Sequence, residues 1–187
     1  MSYNIIKLGT EVVVSDPCYA IPTWCQVIVK NVLPGNYHSF LKKTDANDWG
    51  IRNSVLLVIH EDHMDTKKKW YHHGGVIGVD SGQAGIFSSE SYRNDEIAEQ
   101  IGEGDYGAFP LMRDESGDIW YEKMCSRTLG ESGWGHYPEG VVSRSGLGDG
   151  SYQLRVARHK GKIVGLAIDY LMDNRLNLNF YKEEVFS

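Results

Sequence analysis

The chain of 187 residues is poor in the features that would settle its class at once. It has three cysteines, Cys18, Cys25 and Cys125, which form no CxxC pair and leave one over, so neither a zinc ribbon nor a closed disulfide framework is indicated. A reducing compartment is the simple expectation. No run of about 18 apolar residues occurs, and the N-terminal stretch lacks a basic segment followed by a long apolar one, so the sequence predicts a cytoplasmic protein without a membrane partner. Basic charge is also scarce. A formal charge of −6 spread over both halves argues against a groove for a nucleic-acid polymer, which clustered Lys and Arg would line. The one basic run, Lys67-Lys68-Lys69, reads as a solvated loop. Nor is there a Walker-type phosphate loop or an EF-hand.

What is abundant is glycine, 21 residues, and short apolar runs bounded by Gly, Pro, Asp or Asn. Segments 11–15, 25–33, 36–43, 54–60, 74–80, 140–144, 151–158, 162–170 and 176–180 read as strands. Pro34-Gly35 and Lys160-Gly161 read as hairpin turns. Residues 119–125 read as a further strand, followed by a long Gly- and Trp-rich loop. One surface helix is expected near 90–101, capped by Ser89 or Ser91 and stopped at Gly102. The predicted fold is mainly β (β-rich α+β), a single globular domain over 1–187 with a curled or two-layered mixed or antiparallel sheet.

Three apolar runs lead into Asp-bearing turns: Ser15-Asp16-Pro17, Asp80-Ser81-Gly82-Gln83, and Ser145 through Asp149-Gly150. Each alone reads as an Asx-turn, in which the carboxylate accepts nearby backbone N–H groups. If the three meet at one sheet edge, Asp16, Asp80, Ser81, Gln83, Ser145, Asp149 and Tyr152 form a ligand-binding set in which Asp groups accept hydrogen bonds and glycine-flanked N–H groups donate them. The same Asp16, Asp80 and Asp149 are the candidate ligands for a divalent cation, the one cofactor the residues suggest, and the candidate catalytic groups of a metal-assisted phosphodiesterase or other hydrolase.

Other residues carry weaker signals. His136, in the Gly- and Trp-rich loop, is a candidate general acid or base, with a solvent-facing histidine as the plain alternative. The histidines of His60-Glu61-Asp62-His63 and His72-His73 lack the spacing of a helical zinc site. Cys18 reads as a packed thiol rather than a nucleophile, and Tyr152 serves a core as readily as a ligand.

The blocks Ser15-Asp16-Pro17, Pro34 to Tyr37, Gly78 to Phe87, Ser143 to Tyr152 and Gly161 to Tyr170, in that order, resemble a bacterial and phage family catalogued as a domain of unknown function. The likeness runs from about Asp16 to Tyr170, and the Ser145 to Tyr152 block is its most specific part. Tyr170 stands where that family has Phe, and Ser88 or Ser89 stands where it has Asp. The resemblance implies a phage or bacterial cytoplasmic setting and no activity by itself; host defence or counter-defence is the expected role by analogy with other small acidic phage proteins. The leading functional expectation is a binding protein for a small polar ligand, nucleotide-derived signals included. The alternatives are the metal-assisted hydrolase and a module that binds a host or bacterial protein, its Asp turns purely structural. Oligomeric state is left open by the sequence.

Overall fold

The computed structural model describes residues 4–173 and 176–182. The strands are β1 (Asn4–Leu8), β2 (Glu11–Ser15), β3 (Val27–Lys30), β4 (Gly35–Asp45), β5 (Ile51–His60), β6 (Trp70–His72), β7 (Ile77–Val79), β8 (Gln83–Ser88), β9 (Trp134–Tyr137), β10 (Gly140–Arg144), β11 (Gly150–His159) and β12 (Lys162–Asp169). The helices are α1 (Asp95–Ala98) and α2 (Asp118–Thr128). One sheet runs β1-β4-β5-β12-β11-β6, with β7 also pairing to β11; the other runs β3-β2-β8-β10-β9. All strand pairs are antiparallel. The mainly β, two-layered architecture expected from the strand pattern is therefore the architecture found.

Period-2 alternation explains how the layers stack. Val12, Val14, Ile86 and Val141 of one sheet meet Leu56, Val58, Leu154, Val156, Leu166 and Ile168 of the other in the central core. The intervening residues are buried as well. Val13, Phe87 and Val142 point out of the second sheet and are covered by Trp120 and Met124 of α2 with Tyr92 and Tyr137. Val55, Leu57, Ile59 and Ala167 point out of the first and are covered by Leu178, Phe180 and Tyr181. Burial on both faces is why β5 and β12 read as nearly continuous apolar runs rather than alternating ones.

Four local expectations are corrected. Residues 119–125 are not a strand but most of α2: Trp120 and Met124 are spaced i, i+4 on one buried face, Asp118 sits in the first turn and Arg127 in the last. Helical spacing here outweighs the β preference of Ile, Trp and Tyr. The 90–101 helix shrinks to Asp95–Ala98, capped by the Asn94 side chain on the Ile97 N–H. Upstream, Arg93 lies at φ 53°, and its guanidinium donates to the carbonyls of Pro17, Cys18 and Ser116, which holds this stretch out of helical geometry. Pro34-Gly35 does not close a hairpin, because β3 and β4 belong to different sheets and the segment crosses between them. Residues 176–180 hold no strand either, 178–180 forming a turn; Lys160-Gly161 does join β11 to β12 as a hairpin.

Candidate functional site

The three Asp turns gather at one end of the second sheet. Strands β2 and β10 flank β8 and both run antiparallel to it, with Ser15 opposite Gly85 and Arg144 opposite Gln83. The ends of β2 and β10 therefore lie beside the start of β8. The turn before β8 brings the chain from β7, paired to β11, into the second sheet, and the turn after β10 returns it to β11. Two chain crossings between layers thus lie side by side. Their backbone polar groups leave the ladders there and need other partners.

Aspartate supplies those partners. The carboxylate of Asp16 is fully buried and accepts four hydrogen bonds: the Cys18 N–H (2.9 Å) and Ser81 hydroxyl (2.7 Å) on Oδ1, the Asp80 N–H (2.8 Å) and Ser81 N–H (2.7 Å) on Oδ2. Asp149 Oδ1 accepts the Gly82 N–H at 3.0 Å, and Gly82 O accepts the Ser145 N–H at 2.9 Å and its hydroxyl at 3.2 Å. Asp80 is exposed and accepts from the Tyr19 hydroxyl. Tyr92 ties the same region down by donating to the carbonyls of Asp16 and Tyr19.

The remaining sequence candidates are placed as follows. Gln83 is buried and faces α2, where its amide meets Cys125 Sγ and its oxygen accepts from the Thr128 hydroxyl at 2.8 Å. Tyr152 is a core residue edge-on to Tyr170, with its hydroxyl donating to Gly148 O at 2.7 Å inside the 145–150 turn. Ser145 likewise closes that turn on Gly148 O. His136 lies apart, lining a hollow of about 370 Å³ with Lys7 and Arg127, and burial followed by the Arg127 charge lowers its pKa. The Cys18 thiol is pushed well above its usual range by burial, then by Asp16, in keeping with an unreactive packed group. Among the described residues no group of three or more His, Cys, Asp and Glu side chains is arranged to hold a metal ion. Asp16, with four protein donors, could join a cation only by releasing the turns it fastens.

Beside this junction opens a polar cleft of about 320 Å³ that sequence reasoning missed. Lys43, Arg52, Asn53, Ser132 and Arg144 line it together with Glu131 and the Ser145–Gly146 turn. Arg144 is locked in place: Nε donates to Thr128 O at 2.5 Å and Nη2 to Leu129 O at 3.0 Å and Gly130 O at 2.6 Å, so it also caps the carbonyl end of α2. Asn53 donates to Arg144 O at 2.8 Å and joins the two sheets at this point. Lys43 and Arg52 are exposed and make no ion pair among the described residues. The signal was faint because Arg144 on β10 lies far along the chain from Lys43 and Arg52, which sit on the paired strands β4 and β5. The glycine spacing Gly102, Gly104 and Gly107 matches a dinucleotide fingerprint in letters alone: it lies in the connection from α1 to α2 with no strand leading in.

Fold and site together define a two-layer antiparallel β protein with a cationic cleft at the crossing of its layers. No family model, no curated protein and no solved structure matches the chain. No helix among the described residues is long and apolar enough to cross a membrane.

Proposed function

We propose that the protein binds a small polar, anionic ligand, with nucleotide-derived signals as the leading class, in the cleft between Lys43, Arg52 and Arg144. One observation carries the reading: a chain of net charge −6 collects three cationic side chains around a cleft of about 320 Å³ without pairing two of them to acids. Such an arrangement favours phosphate or carboxylate, for which a fixed guanidinium is well shaped. The Asp turns then serve the site indirectly, by holding the Ser145–Gly146 wall. By analogy with small acidic phage proteins, the proposal extends to sequestration of a nucleotide signal in host defence or counter-defence.

A thermal-shift panel of cyclic dinucleotides, cyclic mononucleotides and ADP-ribose tests it. A ligand held only by the folded state stabilises by about 2.7 kcal/mol at a hundredfold excess over Kd. The shift should vanish in a Lys43→Ala, Arg52→Ala double variant that melts like the parent. Ligand recovered intact supports a binder, whereas chelator-sensitive conversion supports the metal-assisted hydrolase. A second reading, a protein partner, is favoured by Trp24, 88% exposed, and Ile21, 47% exposed, on the loop after Asp16. An empty panel would favour that reading.

A further inference from the structure

Strand β1 is an edge of the first sheet, paired to β4 on one side only. On its other side the Lys7 N–H donates to Pro138 O at 2.6 Å, so this side of β1 looks toward the chain that leaves β9. Backbone groups two residues apart in an antiparallel strand point the same way, which turns the Ile5 N–H and C=O outward with those of Lys7. Neither Ile5 group is taken up by a loop, a turn or a side chain among the described residues. The facing edge of β9 is closed instead, because Arg127 Nε donates to His136 O at 2.9 Å. An open backbone pair on an edge is a template for another strand.

Between the two edges lies the hollow of about 370 Å³, which shares no lining residue with the cationic cleft. Ile5, Ile101, Tyr137 and Pro138 give it apolar walls, and Lys7, Arg127 and His136 give it basic ones. Arg127 is 6% exposed and directs Nε, Nη1 and Nη2 at the carbonyls of His136, Lys123 and Gly102, so it contributes a fixed charge. Lys7 and His136 are exposed, and their side chains have no hydrogen-bond or ion-pair partner among the described residues. No acid lines the space. Glu61 is bonded to Asn36 and Glu103 to Lys123, both carboxylates outside the lining, and residues 1–3 bring no acidic side chain.

We infer that this hollow receives the C-terminal end of an extended peptide, added as a strand to β1 at Ile5, with its terminal carboxylate at Lys7 and His136 and an apolar last side chain against Ile5, Ile101 and Pro138. Each part of that ligand answers one feature of the site. The outward N–H and C=O of Ile5 call for a main chain that offers an acceptor and a donor. Free basic groups without acids call for a carboxylate, and the apolar walls for an apolar side chain. A fatty acid would meet the walls and the charge but leave the Ile5 pair unmatched. An internal peptide segment would meet the pair but bring no terminal carboxylate.

A synthetic library of hexapeptides with free C-termini, ending in Val, Ile, Leu or Phe and randomised upstream, is screened on the intact chain, and the best member is titrated by calorimetry. It should bind saturably, and its C-terminal amide should bind about tenfold more weakly, the loss expected for one charge-assisted contact. Methylating its backbone nitrogens one at a time should weaken binding at one position or more, since an added strand must donate to Ile5 O. Lys7→Ala leaves the backbone bond to Pro138 in place, so the melting point should hold while affinity falls about tenfold. No saturable binding by any library member would overturn the inference, as would an amide that binds as tightly, tolerance of methylation at every nitrogen, or an affinity unchanged in Lys7→Ala. Octanoate binding as tightly as the peptide would overturn it too, by showing that the strand edge is not used. Failure here leaves the cationic cleft untouched, since the two sites have no residue in common.

Discussion

The buried carboxylate of Asp16 accepts the backbone N–H of Asp80 across 64 positions of sequence, and that of Ser81 one residue on. An aspartate that looks like a local turn residue is therefore a clamp between the end of β2 and the crossing that leads into β8. Asp149 does the same for Gly82 from the other side. The polar, glycine-rich insert between Val79 and Ile86 holds neighbouring backbone, where the chain changes layers.

Asp16→Ala should therefore act as a stability lesion. It removes four accepted hydrogen bonds and strands buried N–H groups, at about 3 kcal/mol in total and a melting point lower by roughly 10 °C for a chain of this size. Asp80→Asn, at an exposed position, should lower it far less. Denaturant melts of both variants check the ranking; equal losses would contradict the clamp.

Gly146→Ala should disturb the cleft directly. A Cβ there would lie 2.3 Å from Asn53 O and 2.9 Å from Tyr170 Cβ, so the turn must shift away from β5 at a cost of about 1–3 kcal/mol. Ligand binding in the cleft should weaken along with the melting point. In Gly148→Ala, where the added carbon would meet open space but φ is +84°, strain alone should lower stability.

Glu122 gives the expected acid limb of the stability profile. Arg113 holds its carboxyl below the usual carboxylate range, with Nη2–Oε2 at 2.5 Å, and the Leu111 N–H adds a second donor. Because the folded value is depressed, this contribution is complete above about pH 4.5 and is lost as pH falls through the lowered value. Arg113 is 59% exposed, so solvent screening keeps the contribution of the ion pair small. Glu122→Gln should flatten the profile between about pH 3 and 5, read by urea melts across that range.

Arg144→Lys should separate the two jobs of that side chain. An ammonium keeps the charge in the cleft but cannot span the carbonyls of Thr128, Leu129 and Gly130 as the guanidinium does. The expected result is a loss of about 1–2 kcal/mol from the capped end of α2, with ligand binding retained in part. Hydrogen exchange of the last α2 amides checks the first half, and the thermal-shift panel the second.

Sequence pattern determined a good deal of this protein. Alternation in Tyr152, Leu154 and Val156 identified β11, the Lys160-Gly161 turn placed its hairpin with β12, and apolar runs bounded by glycine, proline and acids marked a two-layered β protein. These are local signals, because side-chain period and turn chemistry act over a few residues. Tertiary structure decided the rest. Whether 119–125 became strand or helix depended on an aromatic surface, Phe87, Tyr92 and Tyr137, waiting to receive Trp120. Pro34-Gly35 could not announce that β4 would join the other sheet. That three Asp turns would meet follows from β2 and β10 both lying antiparallel to β8, a choice made by pairing between distant segments. The cationic cleft exists only after that choice, since it sets Arg144 of β10 beside Lys43 and Arg52 of β4 and β5, which the chain order keeps far from it.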